Sequence, residues 1–437
     1  MTGEAGEFVA RRLSSGIPFY FLPTGKFRSL RLSLFFLRDL RPESVTETAL
    51  LPEVLIRGSR RHPDLRAVHR RLDELYGADL AVNVQKHGEA ESVGWHLDLP
   101  EERYLQGGEG LTGQALDFLA EMVLEPYMEE GRLSARYVDQ EKVNLARRQQ
   151  ALINEKGRYS LLRCIEAMFA GEPYALSKWG RPEDLPGIDA ERLSASFREL
   201  LASAPRVLIG VGQGPVDRIE AELERRLERL RPEALKPLEG TRAAEPRGGQ
   251  PRVVTEEQPV AQGKLVLGFR TGVQIGDPDY DPLVVANGVL GGFSHSKLFR
   301  NVREKASLAY YAYSFLDASK GVAFIQAGIE PPDYHRALQI VLEQVEAVKR
   351  GEVSDEELET TKLRLFNQLR ESTDSPDALI HQALEETLWG IRRSLPERLE
   401  AIARVGREDL VRAFQRVELD TIYYLTATGQ KEALGLA

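Results

Sequence analysis

The sequence is poor in cysteine and has no apolar run of membrane-spanning length. Its 437 residues include one cysteine, Cys164, so no disulfide can form within the chain. The longest apolar stretches, such as residues 34–37, are far shorter than the roughly 20 residues that cross a bilayer. The first residues, MTGEAGEFVARR, include acidic side chains and lack the apolar core of a secretory signal. We therefore expect a cytoplasmic protein with no membrane partner.

No face of a single charge sign can be recognised in the sequence. The formal net charge is −9, and lysine and arginine are interleaved with aspartate and glutamate. Nucleic-acid binding requires a basic face, so we expect no nucleic-acid partner. Apolar residues make up 42% of the chain, which is enough for the cores of two large domains.

A polar stretch rich in proline and glycine divides the sequence near its middle. Residues 231–252 lack helical or strand periodicity, which is typical of a linker. We therefore predict two domains, residues 1–230 and 253–437. Strands, helices, two further strands, several helices and a closing strand follow one another in the same order in both halves. This order predicts an α+β fold made of two related domains.

Hydrophobic periodicity also predicts the bounds of single elements. Helices are predicted over 111–124 and 190–203, and strands over 79–85 and 310–316. A proline inside a helix removes a backbone donor and clashes with the preceding turn, so we predict that the helix near Pro52 begins only at about Leu51.

One segment carries a specific motif. Residues 289–313, VLGGFSHSKLFRNVREKASLAYYAY, contain LGG, small residues, LF, Arg303 and, seven residues later, Tyr310. This pattern strongly resembles the C-terminal domain signature of the insulinase-type (M16) metallopeptidases, the family of pitrilysin and mitochondrial processing peptidase. The resemblance extends over nearly the whole chain. It implies two tandem αβ-roll domains, each an antiparallel-rich sheet packed with helices.

The zinc motif that this resemblance implies is degenerate. Active members carry His-x-x-Glu-His, and this chain has Ala49, Pro52 and Glu53 at the positions of the first histidine, the general base and the second histidine. By similarity, the third ligand position falls at Asp139. Two imidazoles one helical turn apart are missing, and no other histidine pair has that spacing. We therefore expect no bound metal, no cofactor and no peptidase activity of the chain alone.

The same resemblance implies a role for Arg303 and Tyr310. In active relatives the matching residues contact the peptide backbone and the oxyanion in the zinc site of the facing domain. We therefore interpret the chain as a noncatalytic subunit that forms a heterodimer with a zinc-bearing paralogue and helps to bind a peptide substrate. It is also similar to the metal-less member of a bacterial pair linked to elongation factor P modification. Alternatively, Arg303 pairs with an acidic neighbour and Tyr310 only decorates a strand.

Two other classes of function stay open. The first is an autonomous hydrolase, for which Cys164 or the pair Ser294-His295 would have to supply the nucleophile, although no elbow motif surrounds either. The second is a structural or peptide-binding protein of the same fold with no role in proteolysis.

Overall fold

The structure is a computed structural model that describes residues 7–435. In chain order the strands are β1 (Val9–Arg12), β2 (Pro18–Pro23), β3 (Ser29–Asp39), β4 (Asp79–His87), β5 (Ala90–Pro100), β6 (Met128–Glu129), β7 (Arg132–Leu133), β8 (Arg206–Gly212), β9 (Arg252–Gln258), β10 (Gly263–Arg270), β11 (Ala309–Asp317), β12 (Val322–Ile329) and β13 (Glu418–Ala427).

The α-helices in chain order are α1 (Val45–Leu55), α2 (Leu65–Glu74), α3 (Leu111–Leu124), α4 (Ala135–Asn154), α5 (Lys156–Met168), α6 (Ala190–Ser203), α7 (Val216–Leu227), α8 (Tyr280–Asn287), α9 (Tyr334–Lys349), α10 (Asp355–Ser372), α11 (Pro376–Trp389), α12 (Leu395–Arg404), α13 (Arg407–Gln415) and α14 (Gln430–Ala433). Short 3₁₀ turns occupy Glu102–Tyr104, Pro173–Ala175, Pro182–Gly187, Glu228–Leu230 and Pro331–Asp333. Two π-helical turns occupy Gly288–Gly292 and Phe299–Lys305.

The two large sheets repeat one topology. The first has the strand order β1-β2-β8-β3-β5-β4, and the second has the order β11-β12-β10-β13-β9. Read from β4 and from β11, each sheet has three antiparallel neighbour pairs followed by one parallel pair, β8 with β2 and β13 with β9. The predicted α+β fold of two related domains is confirmed.

Each sheet lies in its own compact unit, and neither unit is one continuous stretch of sequence. The first unit comprises residues up to Gln149, Leu176–Gly240 and Ser372–Arg392. The second unit comprises Gln150–Ala175, Thr241–Glu371 and residues from Arg393 onward. The predicted division into residues 1–230 and 253–437 differs from these units, because α11 belongs to the first and α5 to the second. Residues 231–251 contain neither helix nor strand.

The burial of the sheet faces explains why α5 and α11 each belong to the unit formed mainly by the other half of the sequence. Leu379, Ile380, Ala383 and Leu384 of α11 form a core with apolar residues of β2, β3 and β8. In the second unit, Cys164 and Met168 of α5 join a core with residues of β10, β12 and β13. A sheet with apolar residues on both faces needs cover on both, so each half of the sequence supplies one helix to the other sheet.

Elements with strong local signals lie where the sequence predicts them. The helices predicted over 111–124 and 190–203 match α3 and α6, and the Asp189 side chain caps α6 by accepting a bond from the Arg192 backbone nitrogen. The predicted start of α1 near Leu51 is wrong, because the helix begins at Val45 and contains Pro52 in its interior. Seven buried apolar residues of α1 provide burial that offsets a proline cost of about 3 kcal/mol.

Within residues 7–435, no helix combines the length and the apolar character needed for a bilayer crossing.

Candidate functional site

Helix α1 carries the degenerate metal motif into the core of the first unit. Ala49 is 4% exposed, and Pro52 is buried against the same core region. Neither residue has a side-chain atom that could donate electrons to a metal ion. Of the three motif positions, only Glu53 can bind a cation.

Glu53 is paired with Arg148 of α4. Arg148 Nη2 donates to Glu53 Oε2 at 2.9 Å, and Arg148 Nη1 donates to Glu53 Oε1. The fork of the guanidinium thus engages both carboxylate oxygens. The hydrogen bond to Glu53 raises the pKa of Arg148 above its ordinary value. A metal ion could bind Glu53 only by displacing a cation that is already there.

A second ion pair joins the next turns of α1 and α4. Arg57, just past α1, donates from Nε to Glu141 Oε1 at 2.5 Å, and the Glu141 side chain is 4% exposed. Asn144 Nδ2 donates to Glu141 Oε2 at 3.0 Å. Both oxygens of this buried carboxylate are therefore satisfied by protein donors.

The structure does not bring Asp139 to this site. Asp139 is exposed, and it lies nine residues before Arg148. At about 100° per residue, nine residues place the two side chains on opposite faces of α4. Glu141 is seven residues before Arg148, close to two full turns, so these two share the face toward α1. Arg148, and not Asp139, therefore lies opposite Glu53.

The donors around α1 do not fit a zinc ion. Among residues 7–435, no group of three or more His, Cys, Asp and Glu side chains is arranged to hold a metal. A guanidinium stays protonated at all ordinary pH values and repels a second cation. No metal-dependent step can therefore be assigned to the residues of this site.

The sequence contains a signal for these ion pairs. Glu53 and Arg57 are four residues apart, and Glu141 and Arg148 are seven residues apart, so α1 with the turn that follows it and α4 each present one acid and one base on one side. When these two faces pack against each other as observed, Glu53 meets Arg148 and Arg57 meets Glu141.

Glu91 of β5 is a buried carboxyl group without any such signal in the sequence. It is fully buried and lies opposite Arg38 of β3 in the strand ladder, near Thr48 of α1. Burial raises its pKa to about 8. The group is therefore mostly protonated at neutral pH.

Arg303 and Tyr310 lie together on the surface of the second unit. The Arg303 guanidinium carbon is 4.8 Å from the ring centroid of Phe299 and 5.9 Å from that of Tyr310. Tyr310 is 74% exposed, and Arg303 forms no ion pair with any described residue. Stacking between aromatic rings orients the guanidinium and leaves its N–H donors available.

A β-bulge turns Tyr310 outward. In the ladder between β11 and β12, Ala309 pairs with Ile329 and Tyr311 with Gly328, so Tyr310 is the extra residue without a partner. Bulges commonly redirect a side chain in this way. The structure therefore places the side chain predicted to contact a peptide away from the core.

The two glycines of the motif allow a close approach of backbone to backbone. A Cβ atom on Gly291 would lie 2.5 Å from the backbone nitrogen of Ser314 in β11. The turn Gly288–Gly292 can therefore pack this tightly against β11 only without a side chain at Gly291. This contact positions the turn that precedes Arg303.

The two candidate nucleophiles are not arranged for catalysis. Cys164 is fully buried, and burial raises the pKa of its thiol well above the ordinary value. His295 Nε2 shares a hydrogen bond with Thr361 Oγ1 at 2.9 Å, and Ser294 is exposed. These environments do not support the autonomous-hydrolase alternative.

The chain has two α+β units of related topology, and a salt bridge occupies its degenerate metal motif. These features together describe a metallopeptidase homologue without a zinc site. Residues 187–365 match the family model described as the peptidase M16 inactive domain. The chain is 36% identical over 413 residues to the probable inactive metalloprotease YmfF of Bacillus subtilis (strain 168), covering 94% of this chain and 96% of that protein. The chain therefore belongs to the peptidase M16 family, as the sequence motif predicted.

Two further similarities cover different shares of the chain. The uncharacterized zinc protease YmxG of Bacillus subtilis (strain 168) is 29% identical over 158 residues, which are 36% of this chain and 38% of that protein. A crystal structure of a conserved protein from Enterococcus faecalis V583 superposes with a TM-score of 0.89 and is 28% identical. That match covers 97% of this chain and 99% of the other.

Proposed function

We propose that this chain is a noncatalytic subunit of an M16-type metallopeptidase. It forms a heterodimer with a zinc-bearing member of the family and helps to bind a peptide through Arg303 and Tyr310. The contrast between two sites carries the proposal. Ion pairs occupy the metal motif, whereas Arg303 and Tyr310 are exposed, adjacent and without an ionic partner in the described part of the chain.

The chemistry of the two side chains suits this role. The guanidinium is a permanent donor that can bond the carbonyl oxygens of a peptide backbone. The phenol can donate to an oxygen that becomes negatively charged during hydrolysis. In the proposed heterodimer the partner supplies zinc and the general base, and this chain supplies the two donors.

The relatives support a two-chain arrangement. Bacillus subtilis (strain 168) has both a probable inactive metalloprotease and an uncharacterized zinc protease that resemble this chain. A cytoplasmic location is part of the proposal, and a chain with one cysteine, which cannot form an internal disulfide, agrees with it.

Co-expression with an M16 paralogue from the same genome tests the pairing. The paralogue should contain an intact His-x-x-Glu-His motif. The two chains should co-migrate at micromolar concentration, because a stable heterodimer buries an interface above about 1,000 Å². A matched control is a paralogue whose general-base glutamate is replaced by glutamine, which should still pair but should not cleave peptide. Two species that migrate independently would favour the structural or peptide-binding alternative.

A further inference from the structure

A cavity in the second unit lies next to the C-terminal end of α5, at the ends of β9, β10 and β13. Its volume is about 310 Å³. Pockets that bind small molecules begin at about this size, roughly 300 Å³. Five charged side chains line the cavity, namely Arg247, Arg252, Arg270, Glu418 and Asp420. The partners of these five side chains decide which ligand the cavity suits.

Arg270 forms a fixed wall of the cavity. Its side chain is almost fully buried. Arg270 Nε donates to Asp420 Oδ2 at 2.6 Å, and Nη2 donates to the Met168 carbonyl at 3.2 Å. The guanidinium carbon also lies 4.7 Å from the ring centroid of Phe169. Arg270 and Asp420 therefore satisfy each other within the protein and connect the ends of α5, β10 and β13.

A β-bulge explains why Arg270 pairs with Asp420. In the ladder between β10 and β13, Thr421 and Leu419 have strand partners and Asp420 between them has none. A bulge redirects the side chain of its extra residue. The residue directly opposite Arg270 in the ladder is Glu418. Because Asp420 takes the guanidinium, Glu418 has no ionic partner in the part of the chain that the structure describes.

The other two cations of the lining differ in their partners. Arg247 Nη2 donates to Glu172 Oε1 at 2.7 Å, so the charge of Arg247 is compensated. Arg252 Nη1 donates to the Ala167 carbonyl at 2.8 Å. This carbonyl is neutral, and the bond uses one of the five N–H donors of the guanidinium. Arg252 therefore has no ionic partner among the described residues and keeps further donors for a ligand.

One unpaired cation and one unpaired anion thus line the same cavity. Arg252 is the first residue of β9 and Glu418 is the first residue of β13. The two strands are parallel neighbours, and Arg252 is level with Thr421. Three residues, or about 10 Å along the strand, therefore separate the backbone positions of the two charged residues. Opposite charges that lie apart in one cavity are complementary to a small ligand that carries both charges.

The rest of the lining includes apolar side chains. Ala167 and Met168 are the last residues but one and the last residue of α5, and Ala170 and Leu419 complete this part of the wall. An apolar group of a ligand would lose its contact with water here, which favours binding by about 25 cal/mol per Å². The cavity therefore combines two opposite charges with an apolar wall.

We propose that this cavity binds a free α-amino acid with an apolar side chain. The carboxylate of the ligand bonds Arg252, its ammonium group bonds Glu418, and its side chain contacts Met168 and Leu419. A ligand with negative charge alone would leave Glu418 unpaired, and a ligand with positive charge alone would leave Arg252 unpaired. The site is separate from the residues proposed to act in the heterodimer, and it requires no partner chain.

Isothermal titration calorimetry with the isolated full chain tests the proposal. The ligands are L-methionine, N-acetyl-L-methionine, which has no ammonium group, and L-methioninamide, which has no carboxylate. We expect L-methionine to bind at least about tenfold more tightly than either derivative, because each derivative leaves one charged side chain of the cavity without its partner. Glycine should bind more weakly than L-methionine, since it has no side chain to cover the apolar wall.

Two variants assign the contacts to single side chains. Arg252→Gln should weaken L-methionine binding at least about tenfold and remove its advantage over L-methioninamide. Glu418→Gln should have the same effect on affinity and remove the advantage over N-acetyl-L-methionine. The matched controls Arg336→Gln and Glu356→Gln change exposed residues on α9 and α10 of the same unit, and they should bind like wild type. Thermal melting checks that each variant is folded.

Three results would overturn the inference. They are no heat of binding for L-methionine at millimolar concentration, equal affinity for L-methionine and either derivative, or wild-type affinity in both Arg252→Gln and Glu418→Gln. The ligand series on the wild-type chain decides the question even where a variant does not fold. Because the titrations use the isolated chain, they give the same answer whether or not the proposed heterodimer forms.

Discussion

Arg148 contacts both carboxylate oxygens of Glu53, the residue that the sequence comparison predicts at the position of the motif's second histidine. A fixed side-chain cation therefore faces the one motif residue that could still attract a metal ion. The site lacks a set of zinc ligands and contains a permanent positive charge, and this charge opposes zinc binding in addition to the absence of ligands.

A double-mutant cycle with Glu53→Gln and Arg148→Met measures this pair. The two side chains are 28% and 40% exposed, so solvent screening limits the coupling free energy to about 1 kcal/mol at low salt. Urea unfolding of the four proteins gives the value, which should fall at 1 M NaCl. A coupling of zero at low salt would show that the contact has no energetic role.

Restoring the metal motif tests the position of Arg148. The triple variant Ala49→His, Pro52→Glu, Glu53→His should bind no stoichiometric zinc, because Arg148 remains opposite the new ligands. Adding Arg148→Glu should give a third ligand and about one zinc per chain, measured by elemental analysis after dialysis. Stoichiometric zinc in the triple variant, or in the unmodified chain, would contradict the account of this site.

Glu91 should make stability depend on pH. Its pKa is raised from 4.5 to about 8 in the folded protein, so between these values the unfolded chain releases a proton that the folded chain retains. Stability should therefore fall as pH rises through this window. Glu91→Gln should flatten the profile and stabilise the protein at pH 8 by on the order of 2 to 4 kcal/mol.

Chemical unfolding at a series of pH values measures the effect of Glu91→Gln. The exposed Glu109→Gln serves as the control and should leave the wild-type profile unchanged. If Glu91→Gln loses stability at every pH, Glu91 is ionised and paired in the folded state.

The two motif glycines give a matched pair of variants. Gly291→Ala should destabilise the fold by about 1 to 3 kcal/mol, because its Cβ would press on the β11 backbone at Ser314. Gly292→Ala should be nearly neutral, since its nearest neighbour would lie 3.5 Å away. Thermal melting compares the two variants, and equal melting temperatures would mean that the turn can move away from β11.

Local patterns in the sequence predicted much of the fold. The apolar spacing of α6 and the capping aspartate before it are both local, and the predicted helix over 190–203 has the bounds that the structure shows. The motif around Arg303 and Tyr310 was also visible, because its residues lie within one short segment. The sequence alone was therefore enough to predict the family and to select Arg303 and Tyr310 as a pair.

Features that depend on distant residues could not be predicted in the same way. The apolar stripe of α11 shows that the helix is buried, and it does not show which sheet the helix covers. The interior position of Pro52 depends on burial around all of α1. The sequence does not show which face of α4 meets α1, so it could not place Arg148 rather than Asp139 opposite Glu53, and the burial of Glu91 requires contacts from other elements.

The central claim is that Arg303 and Tyr310 act in a site whose zinc is supplied by another chain. The most direct test is peptide turnover by the zinc-bearing paralogue at a saturating concentration of this chain, with Arg303→Ala and Tyr310→Phe compared with wild type. We expect wild type to support turnover and each variant to lower it about a hundredfold, as for a lost oxyanion donor. The controls Arg300→Ala and Tyr104→Phe should keep wild-type turnover, and all variants should melt like wild type. Full turnover with both Arg303→Ala and Tyr310→Phe would contradict the claim.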